Sequence, residues 1–167
     1  MYDTYIETPS NLIDLTELPT DADVVSALRA LNDEHGADLP RLWQLTVEHD
    51  VDPHWGGHGP AVFLNAGTAG PTGALRWVDR SGEFIPAVGS RRLFSHEQRV
   101  PYFDWSGTAC GVHVALQVPI DSVFAAVAEL LASRRRPTCL QWTPVQSHHM
   151  LIGPPAEQHR VKVRRHA

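Results

Sequence analysis

Two segments of the chain repeat apolar residues at the spacing of an amphipathic α-helix. The first repeat consists of Val24, Val25, Leu28 and Leu31. Thr20 or Asp21 is placed to cap this helix, and Gly36 is placed to end it. The second repeat consists of Val123, Phe124, Val127, Leu130 and Leu131. Asp121 is suited to cap that helix, and the basic residues of 133–136 suit its negative C-terminal end. The pattern predicts two helices, each with one apolar face.

Most of the remaining chain consists of short alternating or apolar runs that are typical of β-strands. In residues 41–49, Trp43, Leu45 and Val47 alternate with a more polar set, which is the period of a half-buried strand. Further strands are predicted at residues 61–65, 74–78, 84–88, 112–118 and 138–142.

Glycine and proline separate these predicted strands. Residues 50–60, DVDPHWGGHGP, are predicted to form a loop, residues 67–73 a turn-rich connection, and residues 79–82 a tight turn. Residues 101–105, PYFDW, allow two interpretations, an edge strand or a partly exposed aromatic loop.

Strands outnumber helices, and most connections between them are too short for crossover helices. We therefore predict an α+β fold, a mainly antiparallel curved sheet with two helices packed on one face. Residues 1–152 are expected to form a single domain, and residues 153–167 a flexible basic tail.

Length and composition agree with one globular domain. The chain has 167 residues, of which 43% are hydrophobic and 20% charged, which argues against disorder. No apolar run reaches the roughly 18 residues that cross a bilayer, and the start has no signal-peptide pattern, so we expect a cytoplasmic protein without a membrane partner. Cys110 and Cys139 are too few for a disulfide framework and are expected to be small buried residues.

The charge of the chain is unevenly distributed. Residues 1–60 contain twelve acidic residues and only two arginines, giving a formal charge of −10, whereas the rest of the chain carries +5. An acidic region repels nucleic acid and attracts a basic protein. A solvated acidic surface that serves solubility is the plain alternative.

The histidines invite a test for a metal site. His49, His54 and His58 lie close in sequence to Asp50 and Asp52, so a zinc or manganese site can be drawn. However, a loop rich in glycine and proline does not fix ligand geometry by itself. We predict no metal, and retain a metal-dependent hydrolase using His49, His54, His58 and Asp52 as the rival interpretation.

Other catalytic and nucleotide-binding patterns are absent from the sequence. There is no GxSxG motif, Cys110 with His113 lacks a neighbouring basic cluster, and the glycine-rich pieces lack the lysine of a P-loop. The basic tail lacks aromatic residues for base stacking. We therefore predict no catalytic residues, no cofactor and no nucleic-acid partner.

One segment carries a family resemblance. Residues 118–142, VPIDSVFAAVAELLASRRRPTCLQW, resemble the C-terminal signature of the immunity protein 1 family of bacterial polymorphic toxin systems. The matching residues are Pro119, Asp121, Val123, Ala126, Arg136, Pro137, Thr138 and Trp142. The resemblance extends more loosely over residues 20–143. The residue types of this segment also indicate a structural role, because they begin a helix, pack it against the sheet and end it.

The resemblance implies an immunity protein that neutralises a cognate secreted toxin. Such toxins are often nucleic-acid deaminases, including double-stranded DNA cytosine deaminases, and in other cases nucleases. A one-to-one complex that occludes the active-site cleft is the expected mechanism. A structural module of a larger assembly is a third interpretation.

Acidic and aromatic residues outside the expected core are the candidates for toxin contact, because binding hot spots favour aromatic residues ringed by polar ones. The predicted toxin-binding residues are Asp50, Asp52, Trp55, Asp79, Glu83, Tyr102, Asp104 and Trp105. Trp43, Trp77 and Trp142 are assigned to the core.

Overall fold

The computed structural model describes residues 11–18, 23–52, 57–94, 98–104, 106–146 and 149–155, with backbone only for residues 51, 52 and 57–59. The strands are β1 (Leu12–Asp14), β2 (Arg41–Asp52), β3 (Gly57–Ala69), β4 (Thr72–Asp79), β5 (Gly82–Pro86), β6 (Arg99–Phe103), β7 (Ala109–His113), β8 (Gln117–Pro119), β9 (Trp142–Val145) and β10 (Ile152–Gly153). The α-helices are α1 (Val24–His35) and α2 (Ile120–Ser133), and two 3₁₀ segments span Ala87–Phe94 and Val114–Leu116.

The strands form one curled, mixed sheet. Its strands lie in the order β10-β7-β6-β2-β3-β4-β5-β9, while β1 pairs with β2 and β8 pairs with β4. All pairings are antiparallel except β1 with β2 and β2 with β6. The predicted α+β class is confirmed, but the sheet is mixed. The edge-strand interpretation of PYFDW is wrong, because β6 lies between β2 and β7.

Both faces of the central strands are buried. One face packs against α1 and α2 in a core that includes Trp43, Leu64 and Trp77. The opposite face packs in a second core that includes Leu42 and Leu116. The two helices therefore share one face as predicted, but β2 is not half-buried: Leu42 and Trp43 are both 0% exposed. Trp142 is half-buried and packs against the first core.

The helix boundaries follow local chemistry that differs in detail from the prediction. Asp23, not Thr20 or Asp21, caps α1, and its carboxylate accepts a 3.0 Å hydrogen bond from the backbone N–H of Ser26. Pro119 occupies the N-cap of α2, so Asp121 lies in the first turn, where its charge still favours the helix dipole. Among the described residues no helix has the length and apolar character that a bilayer requires.

The predicted loop at residues 50–60 is largely a hairpin. β2 continues to Asp52 and β3 resumes at Gly57, with Asp50 paired to Gly59 and Asp52 to Gly57. Glycine and proline suggested a loop, but the ladder accommodates them with register shifts on both sides of Glu48. The later boundaries also move: the last predicted strand begins at Trp142, and Gly153 of the predicted tail pairs with Gly111 in β10.

A buried amide fixes the end of α1 to the turn between β3 and β4. Asn32 donates to the carbonyl of Gly70 at 2.9 Å and accepts from its N–H at 2.8 Å. The predicted end at Gly36 is confirmed, although its φ is −57° and a left-handed residue is not required. Glycine is needed there for space, because a Cβ would clash with Oδ1 of Asn32.

We expect Asn32→Ala to lower the free energy of unfolding by about 1–2 kcal/mol, because two hydrogen bonds to a partly buried turn are lost. Urea unfolding measures the change. Asp33→Ala, at the next and exposed helical position, is the control and should stay within about 0.5 kcal/mol of the parent chain. Equal losses in both variants would contradict this role of Asn32.

Candidate functional site

The end of the β2–β3 pairing that is farthest from β1 and β6 has no other described strand beside it. β1 pairs with β2 only at residues 44–46, and β4 pairs with β3 only from Phe63 onward. Within the described chain, residues 48–52 and 57–62 therefore form a two-stranded ribbon, which we call the arm. The register shifts beside Glu48 lie at its base, where bulges bend a ribbon away from its sheet.

The arm presents acidic residues to solvent. Glu48 and Asp50 are exposed, and Asp52 follows at the same period. Arg80 donates a hydrogen bond to Glu48 at 2.6 Å. This hydrogen bond is the largest cause of the raised pKa of Arg80, and the negative charge of Asp50 raises that pKa as well. Because Glu48 and Arg80 are both more than half exposed, their pairing contributes little stability. Of the predicted toxin-binding residues, the arm brings together Asp50 and Asp52.

Two predicted residues of this region, Trp55 and His54, lie outside the described residues, as does Trp105 farther along the chain. His49 pairs with Asp14 at 2.8 Å. No group of three or more potential metal ligands occurs among the described residues. The metal-site rival stays a prediction, because the side chains of Asp52 and His58 are not described.

Asp79 and Asp104 hold turns. The carboxylate of Asp79 accepts from the N–H and hydroxyl of Ser81 and from the Trp77 indole at 2.6–2.8 Å. Partial burial raises the pKa of Asp79, but these hydrogen bonds lower it by a larger amount. The pKa of Asp79 therefore lies below its ordinary value. Asp104 accepts from the backbone N–H groups of Ser106 and Thr108 at 2.9 and 3.0 Å. Both carboxylates therefore stabilise turns of the fold itself, and their predicted contact with a toxin stays a prediction.

The same local pattern marks these turns in the sequence. Asp14, Asp79 and Asp104 each precede a serine or threonine by two positions and accept from its N–H and hydroxyl. This is the geometry of an Asx turn. An Asp-x-Ser/Thr pattern at the end of a predicted strand is the signal that indicates a structural aspartate.

Tyr102 is a core residue. Its side chain is 1% exposed, and burial raises the pKa of its phenol to about 12. The predicted surface role of Tyr102 is therefore wrong. Cys110, opposite Tyr102 in the β6–β7 pairing, is buried as predicted, and burial raises its pKa to about 11. Cys139 is exposed, contrary to prediction.

Glu83 belongs to a polar chain that crosses four strands of the second face. Arg76 donates from Nε and Nη2 to Glu83 at 2.6 Å and from Nη1 to Asn65 at 2.8 Å. Asn65 in turn donates to Gln44 at 3.5 Å. Asn65 and Gln44 are buried, and Arg76 and Glu83 are each 20% exposed. Sequence reasoning missed three of the four residues, because only the strand register aligns them.

The polar chain ends at a groove of about 660 Å³. The groove is lined by Arg76, Glu83, Asp104, Ala109, Cys110, His149, Met150, Leu151, Ile152, Gly153 and Pro154. It therefore contains two of the predicted toxin-binding residues, Glu83 and Asp104. A concave, mostly apolar surface with a few charged groups is the usual form of a binding site.

The 118–142 segment folds as a scaffold. Glu129 accepts from the N–H and hydroxyl of Thr138 at 2.6 and 2.8 Å and from the N–H of Cys139 at 2.9 Å. The Trp142 indole donates to the carbonyl of Pro137 at 2.8 Å. These contacts fix the chain that leaves α2 against the helix, so the residues that carry the resemblance hold the fold together.

Comparison with family models decides the family. The model described as Immunity protein Imm1 matches residues 14–144, which run from β1 into β9. The chain belongs to the Imm1 family. No curated protein matches it.

Membership in the Imm1 family indicates an immunity protein, and hence a toxin as partner. At the level of the family, this is a binding protein rather than an enzyme. The matched residues include the arm and the polar chain, whereas β10, which closes one side of the groove, follows them. The family match alone therefore does not locate the binding surface.

Two groups of described acidic residues in this Imm1 chain lie at opposite ends of the β2–β3 hairpin. The arm holds one group. At the other end Asp33, Glu34, Asp38 and Asp121 line a smaller groove of about 400 Å³ beside the β3–β4 turn. Among the described residues, Arg29 is the only arginine that lines that groove, and it lies 4.5 Å from the ring centre of Phe124. Six of the twelve acidic residues in the first sixty thus lie on two separate surfaces.

Replacing Glu129 by glutamine tests the scaffold role of the signature. The backbone N–H of Thr138 is the largest cause of the lowered pKa of Glu129, which ordinarily lies near 4.5. A lowered folded-state pKa adds stability above the unfolded pKa, and this stability is lost as the pH falls through the folded value. We expect Glu129→Gln to reduce the free energy of unfolding at pH 7, with the difference from the parent narrowing below pH 4.5.

Denaturant unfolding between pH 3 and pH 7 measures this difference. Glu17→Gln provides the control, because Glu17 is exposed and its carboxylate has no hydrogen bond within the described chain. A difference between parent and Glu129→Gln that is the same at both ends of the range would contradict the assignment.

Proposed function

We propose that this Imm1 protein neutralises a secreted nucleic-acid deaminase by covering its basic active-site cleft in a one-to-one complex. Family membership supplies the toxin partner. The deaminase class comes from the resemblance of residues 118–142, and a nuclease of the same secreted type is the alternative. The acidic arm is the observation that carries the proposal.

The arm suits a cleft that binds a polyanion. It places Glu48, Asp50 and Asp52 along five residues of a ribbon that no other described strand flanks. Carboxylates at such a tip can replace the phosphates that a basic cleft otherwise binds. Trp55 lies between the two arm strands in sequence, and an aromatic residue surrounded by charges is the usual composition of a binding hot spot.

Charge-neutral variants of the arm test where the toxin binds. We expect Asp50→Asn combined with Asp52→Asn to slow association with the toxin about tenfold and to reduce its salt dependence, because steering by the arm is lost. We expect Trp55→Ala to weaken the complex about thirtyfold, the effect of losing one hot-spot aromatic residue. The binding partner in this assay is the C-terminal toxin domain that we expect the neighbouring upstream reading frame to encode.

The matched control is Asp33→Asn combined with Glu34→Gln, which removes the same charge at the opposite end of the hairpin. Its association rate should stay within about threefold of the parent. Equal slowing by both double variants would mean that a general field, and not the arm, attracts the toxin. Failure of the parent protein to bind the toxin or to protect cells from it would refute the proposed function itself.

A second experiment tests the toxin class and the mode of inhibition. The toxin domain alone should convert cytosine to uracil in double-stranded DNA, and one equivalent of this protein should abolish the conversion. Under occlusion, a DNA duplex should compete with this protein for the toxin, whereas an allosteric inhibitor would leave DNA binding intact. Cleavage of phosphodiester bonds by the toxin would favour the nuclease alternative.

A further inference from the structure

Among the described residues that line the groove on the second face, carboxylates outnumber arginines. Glu83 and Asp104 line it with one arginine, Arg76, while the guanidinium of Arg99 donates to the carbonyls of Gly111 and Met150. Arg76 already donates to Glu83 and to Asn65, so its charge is compensated inside the polar chain. The carboxylate of Asp104 has no such cationic partner among the described residues. The groove therefore favours a cation over an anion.

Within the described residues, each carboxylate also keeps one oxygen that accepts no hydrogen bond. Both hydrogen bonds from Arg76 to Glu83 use Oε2, and the hydrogen bonds to Asp104 use Oδ1. In the described part of the chain no hydrogen bond uses Oε1 of Glu83 or Oδ2 of Asp104. Amino and guanidinium groups donate several hydrogen bonds and accept none, so they match two such acceptors.

The groove walls suit the aliphatic part of a long side chain. Cys110, Leu151 and Ile152 supply apolar atoms, and Met150 is 57% exposed. Lysine and arginine carry methylene stems that pack on apolar surface while the charged end reaches polar atoms.

The apolar surface continues beyond the groove. His149, a lining residue, contacts the ring of Phe94 edge-on at a centroid distance of 6.0 Å, and Phe94 is 83% exposed. Exposed apolar side chains beside a charged groove are typical of protein contact surfaces.

The groove is held open by contacts of its own. Arg99 donates to the carbonyl of Gly111 at 3.2 Å and to that of Met150 at 2.9 Å, which fixes the β10 side to β7. The Asx turn of Asp104 fixes another wall. A site that is formed before its ligand arrives avoids the entropy cost of ordering it.

We propose that this groove binds a lysine or arginine side chain of the partner toxin, with Glu83 and Asp104 as its anchors. The inference rests on the proposed function, because the toxin is the partner that supplies the side chain. A side chain bound in the groove gives the complex a second contact, which lies on the second face of the sheet and is separate from the arm. The toxin would then contact both the carboxylates of the arm and a preformed acceptor site in the groove.

Two substitutions of Met150 with similar length and opposite charge test the groove. We expect Met150→Lys to weaken toxin binding at least tenfold, because its ammonium group competes for the two carboxylates. We expect Met150→Glu to bind at least as tightly as the parent. Val88→Lys is the matched control, because Val88 is 69% exposed and does not line the groove, and its affinity should stay within about twofold of the parent.

Calorimetry with the upstream-encoded toxin domain measures the affinities, and circular dichroism verifies that each variant is folded. If the parent binds the toxin and Met150→Lys binds as well as Val88→Lys, the groove proposal is wrong while the proposed function stands. If Met150→Glu loses as much affinity as Met150→Lys, the contact is apolar and the cationic assignment is wrong. If the parent does not bind the toxin, both proposals fail.

Discussion

Burial of the central strands on both faces is the constraint on which the rest of the structure depends. Adjacent side chains of a strand point to opposite faces, and both Leu42 and Trp43 are fully buried. One face is covered by the two α-helices, and the other by the 3₁₀ segments and the strands that curl over it. Polar residues on the second face must then find partners inside it, which explains the chain from Gln44 to Glu83.

This burial also decides which groups remain for a partner. Tyr102 is used by the second core, and Asp79 is used by a turn. The residues of the family signature stabilise the connection between α2 and β9, where Glu129 accepts hydrogen bonds from Thr138. Of the predicted toxin-binding residues with described side chains, Asp50 on the arm and Glu83 and Asp104 in the groove remain for a partner. The residues that identify the family are therefore different from those proposed to recognise the toxin.

The elements that the sequence predicts well are those with a local cause. Both helices follow from apolar periodicity, and the turn at residues 79–82 follows from its residue types. The strand pairing within residues 50–60 is not predicted from the sequence, because glycine and proline usually indicate a loop. An antiparallel pair with register shifts can nevertheless contain these residues. The groove depends on long-range pairing between β6 and β7 and on β10, and no local sequence pattern around Asp104 or Ile152 indicates that both residues line one groove.

The self-paired backbone of the arm has an evolutionary consequence. Beyond the register shifts, the two strands of the arm pair with each other. Residues of the arm can therefore be exchanged, and the arm can be lengthened or shortened, with little disturbance to either core. Arg76 has no such freedom, since its loss would strand the buried amide of Asn65 and the charge of Glu83. If the arm contacts the toxin as we propose, a lineage that meets a new toxin can diversify along the arm while its framework stays unchanged.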